Sequence, residues 1–344
     1  MRVLVLNNMA PFVRGGAEEL CDHLVRNLRA RGAVAEAMRL PFSWTPPERL
    51  LDEMLIARSL RLWNIDRVIA LKFPVYMVPW DDKVIWLLHQ FRQAYDLFDA
   101  GLSHIPATPE GDRVREAIRR ADDVAFAEAR HVFTNSPTTT ERLRRYNGVE
   151  STVLPPPLND PELFTGGPSE GYVLAGGRVN AGKRQHLLIR ALRHAPGVRL
   201  VVAGPPDDPA DAEGLRRLAE QEGVEDRVCF DLRFVPRAEL AALVNGALAV
   251  AYLPYDEDSV GYVTMEAFHA GKPVITVCDA GGVLRLVQDG ATGWVARPDA
   301  EALGAALADA AGDPAHAARM GHAAREALAA LGLTWPDTLD RLLS

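Results

Sequence analysis

The sequence predicts an α/β protein with two parallel-sheet domains that face each other across a cleft. Short apolar strands alternate with amphipathic helices, and a break rich in proline and glycine is followed by a second round of the same alternation. The length of 344 residues also exceeds that of a typical single core. We therefore expect a first domain over 1–160, a second over 161–333 and a separate last segment over 334–344.

The first domain begins with an apolar strand at 3–6, followed by a loop and a helix over 17–31. Leu20, Leu24 and Leu28 recur in this helix at the spacing of one helical face. The other elements expected in this domain alternate in the same way. The strands are 68–71, 84–88 and 131–134, and the helices are 113–129 and 137–146.

The break between the domains contains three consecutive prolines, 155–157, and the turn 166–168. Neither can continue a helix or a central strand, so we place the interdomain hinge between 155 and 171. The alternation then restarts. The predicted strands are 172–175, 199–203, 228–230, 247–253 and one that starts at 273, and the predicted helices are 185–194, 211–223, 237–245, 284–288 and 300–311.

The last segment, 334–344, reads as a lone amphipathic helix. Trp335, Leu339 and Leu342 need a surface on which to be buried. We expect this helix to cross back to the first domain.

Two carboxylates, Asp258 and Glu266, stand eight residues apart around Gly261, where a loop becomes a helix. The predicted strand 247–253 lies just before them, and ligands of open α/β sheets bind at the carboxyl ends of strands. The backbone N–H groups of 261–263 would favour an anion there. Two carboxylates beside a bound phosphate can hold hydroxyl groups on either side of it, which indicates a sugar nucleotide.

Composition and charge exclude several classes of protein. Hydrophobic residues make up 48% and charged residues 24%, which is ordinary for a globular protein, and no apolar run is long enough to span a membrane. The three cysteines, Cys21, Cys229 and Cys278, are far apart and form no metal or disulfide pattern. With no signal peptide in the sequence, we expect a cytoplasmic protein.

The net charge of −8 is unevenly distributed. Residues 1–160 carry 21 Lys/Arg and 21 Asp/Glu, which leaves 17 and 25 for the remainder and hence all of the −8. This balance argues against nucleic acid as a partner. It makes the first domain the part expected to approach an anionic acceptor or, weakly, a membrane surface.

Several segments, taken in order, resemble glycosyltransferase family 4, the retaining group-1 glycosyl transferases of the GT-B fold, in a bacterial form. Gly15-Gly-Ala-Glu18 resembles the family's glycine-rich loop after the first strand. Gly176-Gly-Arg178 with Lys183 resembles its phosphate-binding segment. Asp258 and Glu266 stand in the place of the family's two glutamates separated by seven residues. The segment with Trp335 resembles the helix that crosses between the GT-B domains.

The resemblance implies roles for residues of the second domain. Arg178 and Lys183 would bind the diphosphate and stabilise the charge that grows on the leaving phosphate. Glu266 would accept hydrogen bonds from the ribose hydroxyls. Tyr262 and Val263 would donate backbone N–H groups to phosphate. The backbone around Gly204 and 230–233 would contact the donor's base.

Asp258 departs from the family pattern, because the family has glutamate where this chain has the shorter aspartate. The family's first glutamate contacts the donor sugar. Either Asp258 fills that role from a closer loop or with a different donor, or the neighbouring Glu257 takes it by a small shift.

In the first domain, the resemblance implies that Gly15 and Gly16 let the backbone approach the donor, where a Cβ would intrude. His89 lies after the strand 84–88, where a family histidine contacts the donor sugar. Four residues are acceptor candidates because they lie near strand ends or beside the glycine pair. They are Arg14, Lys72, Gln90 and Arg92.

The activity implied is retaining transfer from a nucleotide-diphospho-sugar, with UDP as the expected nucleotide, to a saccharide, lipid-linked or small-molecule acceptor. No metal and no other cofactor are expected, because the resemblance implies same-face attack with the leaving phosphate taking the acceptor's proton. Two alternatives remain open. One is a sugar-nucleotide epimerase or hydrolase on the same architecture, and the other is a degenerate domain that binds a nucleotide without transferring sugar.

Overall fold

Two six-stranded parallel sheets form the protein, each in its own unit. The structure, a computed structural model, describes all residues 1–344. Unit 1 comprises Met1–Pro157 together with Leu333–Ser344, and unit 2 comprises Leu158–Gly332. The prediction of two parallel-sheet α/β domains is confirmed.

The sheet of unit 1 has its first strand inside the sheet, and the chain builds outward from it in two directions. The strands are β1 (Arg2–Met9), β2 (Val34–Pro41), β3 (Arg67–Ala70), β4 (Lys83–Leu87), β5 (His131–Thr134) and β6 (Thr152–Val153), in the spatial order β2-β1-β3-β4-β5-β6. The helices are α1 (Gly16–Ala30), α2 (Leu50–Ser59), α3 (Asp96–Asp99), α4 (Pro109–Ala127) and α5 (Pro137–Asn147).

Strand β1 is apolar on both faces because helices cover both sides of a parallel sheet. Leu4 and Leu6 contribute to one hydrophobic cluster, whereas Val3 and Val5 contribute to a second. This alternation follows from the two-residue period of a strand. The near-continuous apolar run in the sequence therefore marked a strand that is buried on both faces.

Unit 2 repeats the same plan. Its strands are β7 (Tyr172–Gly176), β8 (Arg199–Ala203), β9 (Val228–Asp231), β10 (Ala249–Ala251), β11 (Val274–Val277) and β12 (Gly293–Ala296), in the order β12-β11-β10-β7-β8-β9. Its helices are α6 (Gln185–Ala191), α7 (Pro209–Glu222), α8 (Arg237–Gly246), α9 (Tyr262–His269), α10 (Ala300–Gly312) and α11 (Pro314–Ala329).

One predicted helix of unit 2 is wrong. The segment 284–288 was expected to be helical, but the structure has a four-residue 3-10 turn at Gly282–Arg285. The turn follows Gly281, whose φ of +69° starts it in a left-handed conformation. A Cβ on Gly281 would lie 2.6 Å from the backbone nitrogen of Glu257. The turn is thus shaped by the loop packed against it, which local periodicity does not reveal.

The last helix, α12 (Trp335–Leu343), packs on unit 1. Leu339 and Leu342 are buried in the same hydrophobic cluster as Val3 and Val5. The indole of Trp335 packs edge to face against Trp86, with ring centroids 6.4 Å apart. The same Trp86 donates a hydrogen bond through Nε1 to the carbonyl of Leu154 at 2.7 Å.

Candidate active site

The candidate site lies where the strand order of unit 2 reverses. The chain runs outward from β7 through β8 to β9, then crosses back to place β10 beside β7 on the other side. Loops that leave β7 and β10 at their carboxyl ends diverge at such a switch point and leave a crevice, which is where open α/β sheets bind ligands. The loop after β7 carries Arg178 and Lys183, and the loop after β10 carries Glu257 and Asp258.

Glycine backbones approach each other closely at this edge of the sheet. Gly204, at the end of β8, has a φ of +139°, and a Cβ there would lie 2.1 Å from the carbonyl oxygen of Gly177. Gly177 itself has a φ of +103°. Glycine is therefore required at both positions for the loops after β7 and β8 to pack as they do.

Lys183 lies at the centre of a three-residue cluster. Its Nζ donates a hydrogen bond to the hydroxyl of Tyr252 at 2.9 Å and forms an ion pair with Glu257. The hydroxyl of Tyr252 also donates to Oε2 of Glu257 at 3.0 Å. The backbone N–H of Lys183 donates to the side chain of Asn180 at 3.0 Å, which fixes the turn on which the lysine stands.

The cluster keeps Lys183 charged. Burial acts to lower the pKa of Lys183, but Tyr252 and Glu257 outweigh it, so that the pKa lies above its ordinary value. Burial and the neighbouring Glu257 raise the pKa of Tyr252 above its ordinary value. At neutral pH the site therefore holds an ammonium group beside a protonated phenol.

Helix α9 points an uncapped N-terminus toward the same tyrosine. Gly261 precedes the helix with a φ of +75°, and a Cβ there would lie 2.7 Å from the ring of Tyr252. No side chain caps this end, and no acidic residue lies in the first turn. Tyr262 and Val263 open the helix, and the Val263 side chain lies against Gly177. The partial positive charge of the helix end thus stands on one side of Tyr252, with Lys183 bonded to its hydroxyl.

The two candidates for the first carboxylate lie in different surroundings. Glu257 has a side chain that is 26% exposed and contacts Lys183. Asp258 is buried, with 5% of its surface exposed. The backbone of Glu257 pairs with Gly281 and Gly282, whose N–H donates to the carbonyl of Glu257 at 2.7 Å. The loop is thereby fastened to the glycine pair that follows β11.

Arg178 occupies the outer side of the loop after β7. Its guanidinium forms an ion pair with Asp207 at 3.1 Å, and its side chain is 40% exposed. Asn180 also donates to Asp207, at 2.9 Å. The carbonyl of Arg178 accepts from the side chain of Gln185 at 2.9 Å, so the backbone is held while the cation faces solvent.

Glu266 lies on the second turn of α9 and is almost fully buried. Its side chain is 6% exposed and forms an ion pair with Arg237, the first residue of α8. Sequence reasoning did not identify Arg237. It also missed Tyr252, which ends the predicted strand 247–253 and could have been found from its place at a strand's carboxyl end.

In unit 1, the predicted donor loop meets the start of α1. Gly15 precedes α1 in an extended conformation, with φ of −150°, and Gly16 is the first helical residue. The N–H of Gly15 donates to Glu18 at 2.9 Å, and Glu18 in turn pairs with Lys72 at 3.3 Å. Arg14, beside the pair, forms an ion pair with Asp22 of α1 at 2.6 Å.

The other candidates of unit 1 already have partners within that unit. His89 is half-buried, and its Nδ1 lies 2.7 Å from the carbonyl of Gln90. The Gln90 side chain is buried and donates to Asn147. Arg92 forms an ion pair with Asp96, one helical turn further on, at 2.6 Å.

No group of three or more His, Cys, Asp or Glu side chains is arranged to hold a metal ion. None of the helices is both long enough and apolar enough to cross a membrane. The three cysteines are free thiols.

Comparison with known proteins bears on this geometry. Residues 167–327 match the family described as Glycosyl transferases group 1. Two relatives, both named D-inositol 3-phosphate glycosyltransferase, come from Mycolicibacterium paratuberculosis and Nocardia farcinica. The first is 40% identical over 171 residues, which is 49% of this chain and 38% of the relative. The second is 31% identical over 269 residues, which is 69% of this chain and 57% of the relative.

Solved structures resemble the whole chain. Sucrose-phosphate synthase from Thermosynechococcus elongatus has a TM-score of 0.79 at 20% identity, and the match covers 99% of this chain and 97% of that one. HepE from Anabaena, solved in complex with UDP and glucose, has a TM-score of 0.74 at 20% identity, covering 100% and 98%. Such low identities bear on the fold alone.

The two parallel-sheet units and these neighbours define a two-domain α/β protein of the GT-B fold. Residues 167–327, which lie within unit 2, are similar to the group-1 glycosyl transferases. The chain spans about half the length of the two curated relatives named above, 38% of the first and 57% of the second.

Proposed function

We propose that this chain is a retaining glycosyltransferase that moves a sugar from a nucleotide-diphospho-sugar, a UDP-sugar, to an acceptor hydroxyl. The acceptor class stays open between a saccharide, a lipid-linked sugar and a small molecule. The proposal rests on the family of unit 2 and on the chemistry of its switch point. HepE, a neighbour in fold, binds UDP and UDP-glucose, which supports UDP as the nucleotide.

One observation carries the proposal: Tyr252 contacts both the Lys183 ammonium and the uncapped N-terminus of α9. Lys183 donates to the Tyr252 hydroxyl at 2.9 Å, and the position of a Cβ on Gly261 would lie 2.7 Å from the Tyr252 ring. A diphosphate that binds here would meet a fixed ammonium and the first N–H groups of α9 together. Both favour an anion, and both are in place before the reaction starts.

The proposed reaction breaks the bond between the sugar's anomeric carbon and the diphosphate oxygen. The acceptor oxygen forms the new bond on the same face of the sugar, and its proton passes to the leaving phosphate oxygen. Negative charge grows on that phosphate as the bond breaks, so fixed cations stabilise the transition state more than the ground state. We propose that Lys183, Arg178 and the α9 N-terminus supply this charge and that no metal ion is needed.

The two carboxylates of the loop after β10 are proposed to have separate roles. Glu257 holds Lys183, with which it already forms an ion pair. Asp258 stands in the place of the family's first glutamate and is proposed to bind the donor sugar. Glu266 is proposed to accept hydrogen bonds from the ribose.

The test is a donor screen with UDP-glucose, UDP-N-acetylglucosamine and GDP-mannose, in which sugar released or transferred is followed by NMR. We expect a UDP-sugar to react, with the α-anomer formed first and the rate unchanged by EDTA. Glu266→Ala should abolish turnover while the protein still folds. Formation of an epimer would favour the epimerase alternative, and tight UDP binding without turnover of any donor would favour a degenerate binding protein.

A further inference from the structure

One arginine, Arg237, contacts both the buried carboxylate of α9 and the first residues of unit 2. Arg237 forms an ion pair through Nη1 with Oε1 of Glu266. Its Nη2 donates to the carbonyl of Asn159 at 2.8 Å, and its Nε lies 3.9 Å from the carboxylate of Asp160. The arginine therefore connects groups that lie 29 and 78 residues away in the sequence.

The guanidinium is held on one face by an aromatic ring, as well as through hydrogen bonds from Nη1 and Nη2. Its central carbon lies 4.6 Å from the centroid of the Phe164 ring, a cation–π distance. Asn159 is buried, and the Glu266 side chain is 6% exposed. Solvent screens an ion pair in such surroundings much less than it screens the exposed pairs elsewhere on the protein. Arg237 thus holds one orientation, and the carboxylate it binds is held with it.

We propose that Arg237 is a positioning residue that fixes Glu266 for the ribose of the donor and thereby sets the preference for ribose over 2′-deoxyribose. The inference rests on the proposed function, because it takes the ligand of Glu266 to be a nucleoside diphosphate. Arg237 itself does not touch the substrate in this proposal.

The chemistry of the pair supports this role. A carboxylate has two oxygens and about four lone-pair sites, so a carboxylate that binds a guanidinium through one oxygen can still accept from a vicinal diol. The planar fork of arginine holds such a group in a defined orientation, which the point charge of lysine does not. A carboxylate that is pre-oriented loses less freedom when the ribose binds, and this loss is a direct cost in affinity.

The experiment is calorimetric titration of UDP and 2′-deoxy-UDP into the wild-type chain, Arg237→Lys and Arg237→Met. We expect wild type to prefer UDP by about 10-fold or more, as for one hydrogen bond to a charged group. In Arg237→Met, UDP affinity should fall by about 10- to 100-fold, and the ratio of the two affinities should approach one. Arg237→Lys should keep part of the affinity, with a reduced ratio.

Arg217→Met is the matched control, because Arg217 forms an exposed helical ion pair with Glu213 in the same unit. It should leave both affinities at the wild-type values. Thermal melting of each variant checks folding, and Arg237→Lys carries the test if Arg237→Met does not fold.

Three results would overturn the inference. Arg237 variants with the wild-type ratio and affinity would show that Glu266 needs no positioning. An equal loss of both affinities, with the ratio unchanged, would make the role of Arg237 structural. If the wild-type chain binds neither UDP nor GDP, the proposed function is wrong, and so is the inference that rests on it. The wild-type titration alone gives this result, before any variant is made.

Discussion

In each unit, a helix preceded by a glycine begins near the point where the strand order reverses. The N-termini of these two helices, α1 and α9, differ in charge. Helix α1 of unit 1 carries Glu18 and Glu19 in its first turn, and Glu18 accepts from the N–H of Gly15 at 2.9 Å. Helix α9 of unit 2 carries no acid in its first turn and has no side-chain cap. Lys183 donates to the tyrosine that packs beside the α9 end.

The difference shows how one fold provides two kinds of helix end. In unit 1 the positive end of the helix dipole is met by the helix's own carboxylates, and the nearby cation Lys72 pairs with one of them. In unit 2 the helix end has no acid in its own first turn, and the nearby cation Lys183 pairs with Glu257 of a separate loop. The electrostatics therefore favour an anion at α9, which makes Gly261 and Lys183 a better-supported donor site than Gly15 and Gly16.

The largest expected effect comes from Lys183→Ala. The variant removes the fixed positive charge proposed to face the leaving phosphate, so kcat should fall by about 10²- to 10³-fold, as for loss of one preorganised charge-stabilising group. The measurement is steady-state turnover of the UDP-sugar found in the donor screen. Arg193→Ala, which removes an exposed cation of the same unit, is the control and should retain activity. Near-normal turnover in Lys183→Ala would rule out the site in unit 2.

A second variant, Gly261→Ala, tests the helix end rather than the cation. The new Cβ would collide with the Tyr252 ring and would also adopt a φ of +75°. We expect the affinity for UDP to fall by about 10-fold or more, since the displaced ring separates Lys183 from the helix end. Titration calorimetry gives the affinity.

Gly290→Ala is the matched control for this variant. Gly290 has a φ of +68°, but a Cβ there would meet nothing within 4 Å, so the substitution brings the same backbone strain without the collision. Any loss of UDP affinity beyond that of Gly290→Ala reports the contact with Tyr252. Equal behaviour of the two variants would argue that the packing of α9 on Tyr252 is irrelevant to binding.

A third comparison separates the two neighbouring carboxylates. Asp258→Asn should lower kcat by about 10-fold with little change in UDP affinity, because its proposed contact is with the sugar. Glu257→Gln should instead change the affinity for UDP, because it releases Lys183 from its ion pair. Calorimetry and turnover measured on the same preparations give both quantities. If the two variants exchange these effects, the roles of Glu257 and Asp258 are exchanged as well.

The smallest effect is expected in unit 1. Glu18→Gln keeps a side chain that can accept from Gly15 but removes the charge from the first turn of α1. The affinity for UDP should change by about twofold or less, which is at the low end of a helix-dipole interaction. A clear gain in UDP affinity, measured by calorimetry, would mean that the diphosphate reaches the α1 end and that the contrast between the two helices is smaller than proposed.

The sequence predicted most of the fold because its signals are local. The alternation of apolar strands with helices of 3.6-residue period was enough to find two parallel-sheet units, and Gly261 marked the start of α9 correctly. The predicted strand 247–253 was longer than β10, which covers Ala249–Ala251, since apolar character continues past the last paired residue. The failed helix at 284–288 depended on contacts with the loop of Glu257, which no local pattern contains.

The candidate site was less predictable, because it depends on contacts between segments that are distant in the sequence. Asp258, Glu266, Arg178 and Lys183 stood out through spacing and resemblance, but the strand order that unites the loops after β7 and β10 cannot be read from any one segment. Arg237 lies 29 residues before Glu266 at the start of an ordinary helix. Nothing near it in the sequence distinguishes it from the many surface arginines.

The segment by which the chain leaves unit 1 and the segment by which it returns both contact the indole of Trp86. Trp86 donates to the carbonyl of Leu154, four residues before unit 2 begins, and packs against Trp335, three residues after unit 2 ends. In topological terms, unit 2 is an insertion within a loop of unit 1. We therefore expect that unit 1 would still fold alone if residues 158–332 were replaced with a short flexible linker. In that protein, Trp86 would still contact the segments on both sides of the linker.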